Sequence, residues 1–160
     1  MKTLLIFRHG QAESTAGIHG DHGRALTERG RKEAGRQASQ WAFQTSDAWI
    51  VSDARRTKET ADALIHDWAL ASDQRPVHLH ITPQGYLAEA DRWMDLIAMA
   101  PPQAHRVWAV GHNPGLSDLV FLLTGRGMGL STADIVEVEL SIDKWMDIAP
   151  GKGRFVSHHP

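Results

Sequence analysis

Apolar positions in this chain follow two rhythms that take turns along most of its length. Residues 3–7, TLLIF, are continuously apolar, which predicts a strand buried on both faces. A glycine-rich loop follows, and LTERGRKEAGRQASQWAF then changes to a helical period. Thr27 is its expected N-cap, Glu28 suits the positive helix start, and Ala34, Ala38, Trp41 and Ala42 share one face. AWIV (48–51) predicts a second short strand, and SDARRTKETADALIHDWA a second helix with Ala61, Leu64, Ile65 and Trp68 on its stripe.

The alternation continues. VHLHI (77–81) reads as a strand with one polar face, and DRWMDLIAMA as a helix stopped by Pro101-Pro102. RVWAV (106–110) is a strand, followed at once by GHNPGLSDLVFLLTG, whose Leu116, Leu119, Val120 and Leu123 form a helical face ending at Gly125. From there the period falls to two: DIVEVEL alternates apolar with acidic residues, and KWMDIAPGKGRFVSHH adds one or two strands around a PGKG turn. Strand and helix taken in turn predict an α/β fold with a mainly parallel sheet, to which the C-terminal strands add an antiparallel edge. With no repeat, linker or low-complexity stretch, residues 1–160 are expected to form a single domain.

Composition narrows the function classes. Apolar residues make up 42% and charged residues 22%, a globular balance, and the formal charge of −2 favours neither nucleic acid nor an anionic membrane as partner. Any anion must be held by a local cluster. The absence of cysteine removes disulfides, thiolate metal sites and thiol nucleophiles. The apolar run at the N-terminus is too short for a signal peptide, and no run approaches a membrane span, so a cytoplasmic location is the expectation.

The chemistry gathers where strands end. Open α/β sheets bind ligands outside the carboxyl ends of their strands. After the first strand stands Arg8-His9-Gly10, after the second Ser52-Asp53-Ala54-Arg55-Arg56, and after RVWAV Gly111-His112-Asn113-Pro114-Gly115. An arginine at a strand end is ordinarily a solvated charge, and a lone histidine there is ordinarily structural. Three strand ends carrying the same chemistry suit a phosphoryl group. Guanidinium groups match phosphate oxygens in pairs, a neutral imidazole attacks phosphorus, and a second histidine, if protonated, would add a donor to the equatorial oxygens. Gly10 and Gly111 would admit backbone N–H groups to the anion.

LIFRHGQAES, RALTERGRKEA, SDARRTKETA, VGHNPGLSDLV and STADIVEVELSIDKWMDIAPGKGRF, in this order, resemble the histidine phosphatase superfamily, and in particular its small bacterial SixA-type phosphohistidine phosphatases. The resemblance implies a phosphoglycerate mutase-like three-layer sandwich, its sheet flanked by helices. It implies that His9 is the nucleophile, that Arg8 and a second arginine clamp the phosphate, and that His112 completes the pocket with Asn113 beside it as a substrate-binding residue. Helical periodicity does not separate Arg55 from Arg56; the family's spacing from Ser52 and Thr60 selects Arg56. Asp53 and Thr57 depart from that pattern, which has proline and alanine there. The implied activity is a phosphatase using no metal or other cofactor, with phosphohistidine on a protein or a small phosphoester as substrate.

No general acid is evident. Glu89 is a weak candidate, for which a helix-start charge is the plainer reading, and Gln84 offers hydrogen bonds only. Phosphohistidine leaves as an imidazole and needs less help than an alkoxide, so an acid-poor site favours it. Short connections leave little room for a lid and predict an open pocket. Two rival classes remain. A metal-dependent hydrolase would use His19, Asp21, His22, His78 and His80, without a recognisable ligand motif. A non-catalytic phosphoprotein-binding module could dispense with His9, which this chain retains. His158 and His159 read as a frayed end, and Trp41, Trp68 and Trp93 as core residues of helices.

Overall fold

The computed structural model describes residues 1–15 and 17–160, with Ala71 and Ser72 described in their backbone alone. Six strands form one sheet: β1 (Lys2–Arg8), β2 (Ala48–Ser52), β3 (His78–Thr82), β4 (Arg106–Gly111), β5 (Ile135–Leu140) and β6 (Gly153–His159). Their order is β3-β2-β4-β1-β5-β6. The first four are mutually parallel, whereas β5 runs antiparallel to β1 and β6 antiparallel to β5. This is the expected α/β sheet with an antiparallel C-terminal edge.

Helices α1 (Glu28–Ala38), α2 (Arg55–Ser72), α3 (Ala90–Ala98) and α4 (Gly115–Thr124) cover the sheet in two layers. The pleat explains the division, because successive residues of a strand face opposite ways. On one face, Leu4 and Ile6 of β1 and Val107 and Ala109 of β4 join the core of α3 and α4. On the other, Leu5, Phe7, Trp108 and Val110 join the core of α1 and α2. Leu116, Leu119, Val120 and Leu123 of α4 are fully buried, and each contributes about 1.5–3 kcal/mol relative to exposure. Trp49 and Trp108 stack at 4.6 Å beneath α2.

Several boundaries differ from expectation. Helix α1 stops at Ala38 and does not run through Trp41 and Ala42. Ser39 turns its hydroxyl onto the Arg36 carbonyl, 2.9 Å away, competing with helix continuation. Trp41 and Phe43 then reach back to Trp108, at 5.4 and 5.1 Å, so Trp41 is packed from a connecting segment and not from a helical stripe. Ser52 belongs to β2, where it pairs with Thr82, and α2 begins only at Arg55. Strand β3 is an edge, and Leu79 and Ile81 are each close to half exposed. The C-terminal stretch supplies one strand, β6, after a 3-10 turn at Trp145–Asp147.

The histidines at the end are not frayed. His158 and His159 lie within β6, His158 Nε2 is 2.8 Å from Asp134 Oδ2, and the Gln37 amide donates to the carbonyls of His159 and Pro160, 3.3 Å from each. Antiparallel pairing and a buried carboxylate hold what composition alone left loose. Among the described residues no helix is long and apolar enough to cross a membrane.

Strand register positions the site. Arg8 lies opposite Gly111, and Val51 opposite Val110, so the carboxyl ends of β1, β4 and β2 finish at one level. The tight fit there depends on Gly111, whose place a side chain could share only with the buried Trp93 indole. Gly111→Ala should therefore lower stability by about 1–3 kcal/mol through overpacking, read as a reduced midpoint in denaturant unfolding with an unchanged slope.

Candidate active site

Arg8, His9, Arg56 and His112 meet at this edge and line one open cleft with Asp21, Arg24, Gln11, Leu87, Asn113 and Thr132. Its volume is about 400 Å³. A separate apolar groove of about 330 Å³ opens near Ala48 and His78, the first residues of β2 and β3, and so belongs to the amino ends of the strands.

Arg56 sits on the first turn of α2 and is 2% exposed. Its neighbour Arg55 points outward to Glu59 and is 54% exposed in its side chain. The departure at Thr57 serves the same turn: its buried hydroxyl lies 2.7 and 2.8 Å from the carbonyls of Ser52 and Ala54, tying α2 to β2. Thr60 donates to the Arg56 carbonyl at 2.7 Å and accepts from the Gly10 N–H at 3.0 Å, which fixes the Arg56 turn against the loop carrying His9.

That contact corrects one expectation. The Gly10 N–H is engaged by Thr60, and Gly10 has no side chain because the Gly30 carbonyl of α1 stands where one would go. Gly111 is likewise required by Trp93, and its carbonyl accepts from His9 N–H at 3.1 Å. Both glycines serve close packing, which brings the strand ends together, and the Gly10 N–H is spent on Thr60.

The two imidazoles have definite tautomers. His9 Nδ1 is 2.7 Å from the Gly10 carbonyl, which only accepts, so Nδ1 carries the proton. Nε2 is then a lone pair, and it receives Arg56 Nε–H at 3.3 Å. His112 is the converse. Its Nδ1 faces Arg56 Nη2 at 3.2 Å and must accept, leaving Nε2–H to donate to Ser52 Oγ at 2.8 Å. Burial first, and the neighbouring cations second, lower His112 to about 3. Burial is also the largest influence on His9, which falls to about 4 despite its bond to Gly10. His112 is thus neutral in the free protein and lacks the added donor that protonation would give it.

Arg8 donates to the Leu130 carbonyl at 2.6 Å, while its Nε–H is buried without a partner among the described residues. The Asn113 amide is occupied, donating to Leu130 O at 2.8 Å and accepting from Ser117 Oγ at 2.9 Å. It stands in the cleft wall as a brace. Glu89 is exposed at the start of α3, makes no cap bond, and lines a neighbouring depression with Asp91 and Asp118 rather than the His9 cleft. Gln84 is exposed in a 3-10 turn.

Two charged residues that the sequence did not assign to the cleft, Asp21 and Arg24, line it, and Tyr86 stands behind Asp21. Asp21 arrives on a 3-10 turn at Asp21–Gly23 in the loop between β1 and α1 and lines the wall of the open cleft. Its carboxylate meets Arg56 Nη2 at 3.1 Å, Tyr86 Oη at 2.6 Å and Arg24 Nε at 2.9 Å. Arg24 was legible within RALTERGRKEA, as a cation just before the first helix. Tyr86, the single tyrosine, gave no signal. The proposed metal ligands are dispersed: His22 pairs with Asp53 at 2.8 Å, His78 bonds Gln103 at 3.1 Å, and His80 is exposed. Among the described residues no group of three or more His, Asp or Glu side chains is arranged to hold a metal ion.

Cations thus converge on a neutral imidazole at the carboxyl edge of a parallel sheet, an arrangement able to bind an anion. Comparison with known proteins agrees. The family description "Histidine phosphatase superfamily (branch 1)" matches residues 4–81, just under half the chain. No curated protein is recognisably similar in sequence. Among solved structures, a candidate phosphohistidine phosphatase SixA from Nakamurella multipartitia superposes with a TM-score of 0.80 at 20% identity, covering 99% of this chain and 95% of that one. The protein histidine phosphatase SixA complexed with tungstate gives 0.77 at 21% identity, covering 98% and 95%. A mycobacterial glucosyl-3-phosphoglycerate phosphatase gives 0.68 at 15% identity, covering 96% of each. At these identities the structural likeness is one of fold. The family match covers the amino-terminal part of the chain, and the fold as a whole is similar to that of SixA-type structures.

The buried neutral histidines carry a pH signature. Between the ordinary histidine value of 6.5 and the lowered values of about 4 and about 3, the unfolded chain binds protons that the folded chain refuses. Stability therefore falls as pH drops through that window and is fully present above it. Denaturant midpoints at pH 7.5 and 5 should show the loss, and joint replacement of His9 and His112 by Asn should flatten it.

Proposed function

We propose that this chain is a metal-independent phosphatase that passes the phosphoryl group through His9, with phosphohistidine on a protein as its substrate. The observation that carries this reading is the His9 imidazole, held neutral with its Nε2 lone pair beside a buried guanidinium. The family match over residues 4–81 supports the phosphatase class, and the structural neighbours include a protein histidine phosphatase and a glucosyl-3-phosphoglycerate phosphatase.

The step follows from the tautomer. Nε2 attacks phosphorus from one side, and the bond to the leaving group opens on the other. As the N–P bond forms, Nδ1–H keeps its proton and the imidazole becomes a phosphoimidazolium, whose positive charge the Gly10 carbonyl stabilises. Arg8 and Arg56 hold the equatorial oxygens, where charge accumulates. His112, donating to Ser52 and accepting from Arg56, keeps the Arg56 fork oriented.

Phosphohistidine suits this site because the exchange is symmetrical. A substrate phosphoimidazolium gives up its phosphoryl group, the bonding pair stays on its nitrogen, and a neutral imidazole departs. His9 becomes the phosphoimidazolium in its place, so no proton has to move in this step. Water then attacks phosphorus, both of its hydrogens leave with phosphate as dihydrogen phosphate, and His9 returns to its neutral form. An alkyl phosphate would instead leave as an alkoxide, for which the cleft has no evident acid.

Trapping under an alkaline quench should recover a base-stable, acid-labile phosphohistidine at His9. His9→Ala should lose turnover by roughly 10³-fold or more, and turnover retained in that variant would refute the assignment. Activity should persist in the presence of a chelator. The acid limb of kcat/KM should lie near the lowered His9 value of about 4, well below the ordinary 6.5.

A further inference from the structure

The cleft that gathers Arg8, Arg24 and Arg56 also contains a carboxylate, Asp21, the one acidic side chain among the described residues lining it. A pocket for a phosphoryl dianion is weakened by a fixed negative charge, so the position of that charge is informative. Arg56 orders the site. Its Nε faces His9 Nε2, while its two terminal nitrogens face Asp21: Nη1 donates to the main-chain oxygen at 2.8 Å and Nη2 to Oδ2 at 3.1 Å. His9 and Asp21 therefore stand at opposite ends of one guanidinium. A phosphoryl group bridged along Arg56, and attacked in line from His9, directs its leaving group toward the Asp21 end.

We propose that Asp21 selects the leaving group, accepting a hydrogen bond from the N–H of a cationic, nitrogen-linked one such as imidazolium and disfavouring oxygen-linked ones. The proposal deepens the phosphatase reading and rests on it. During transfer the P–N bond breaks, its electron pair remains on the departing nitrogen, and the remote N–H of the ring stays bonded to the carboxylate. An oxygen leaving group has no N–H to offer, and the negative charge growing on it faces Asp21 directly.

Asp21 is fitted to remain ionised while it does this. Tyr86, first, and the Arg24 and Arg56 guanidinium groups, besides, hold its carboxyl well below the usual carboxylate range, so it accepts hydrogen bonds and does not donate a proton. Tyr86 Oη, 2.6 Å away, anchors it, and the Tyr86 ring is braced against His22 at 4.8 Å and His112 at 5.6 Å. The side chain is 46% exposed, at the mouth of the cleft rather than its floor.

The test compares kcat/KM for phosphoimidazole with that for p-nitrophenyl phosphate in the wild-type chain, Asp21→Asn and Tyr86→Phe. In Asp21→Asn the phosphoimidazole-to-aryl ratio should fall by about tenfold or more, as expected when a site built for an N–H loses its acceptor. Tyr86→Phe, which frees the carboxylate without removing its charge, should move the ratio the same way by a smaller factor, and it reads the same property if the Asn variant fails to fold. A ratio unchanged or raised in the folded variants overturns the role of Asp21. Labelling of wild-type His9 by either substrate separates the two claims: no label defeats the phosphatase reading itself, whereas a label with an unresponsive ratio defeats only the selection by Asp21.

Discussion

One buried guanidinium organises the site. Arg56 is almost sealed from solvent, yet it meets both imidazoles and the Asp21 loop. A buried cation is costly unless its N–H groups are satisfied. The structure satisfies them by drawing on two strand ends and one loop, and this requirement fixes the protonation of what surrounds it. Because a guanidinium donates and never accepts, each imidazole nitrogen facing it must be a lone pair, and the tautomers of His9 and His112 follow. Their neutrality is then set by desolvation and by the same neighbouring charge.

The surrounding fold serves this arrangement. Parallel pairing of β1 with β4, and of β4 with β2, levels the strand ends. The short step from β2 into α2 places Arg56 on a first helical turn beside them. Thr57 and Thr60 bind that turn to β2 and to the His9 loop, and the close approach of Gly10 to α1 and of Gly111 to Trp93 lets the elements meet without intervening side chains.

Much of this was legible in the chain. The continuous run before Arg8 and the helical stripe after His112 each carry a period that survives folding, because core burial enforces it. The convergence of Arg8, His9, Arg56 and His112 follows from the rule for strand ends, with the choice of Arg56 resting on family spacing. What was not legible has a common cause. Asp21 and Tyr86 come from connections with no period, and their meeting is decided by the fold as a whole. Trp41 was misplaced because its spacing suits a helix that Ser39 in fact ends. His158 was read as loose because its partner, Asp134, is distant in sequence. Gly10 and Gly111 looked like anion-binding glycines because a close approach to backbone and one to a ligand leave the same mark in a sequence.

The register of β1 with β4 also bears on how the protein comes into being. Arg8 and Gly111 are laid side by side by strands far apart in the chain, so the pocket depends on a pairing of high contact order, which forms slowly and only after intervening segments are in place. During synthesis His9 emerges before Gly111, on a strand that still lacks the neighbour against which it is aligned. The His9 imidazole is thus set against Gly111 and Arg56 only late, and a partly folded chain has the histidine without the buried guanidinium beside it.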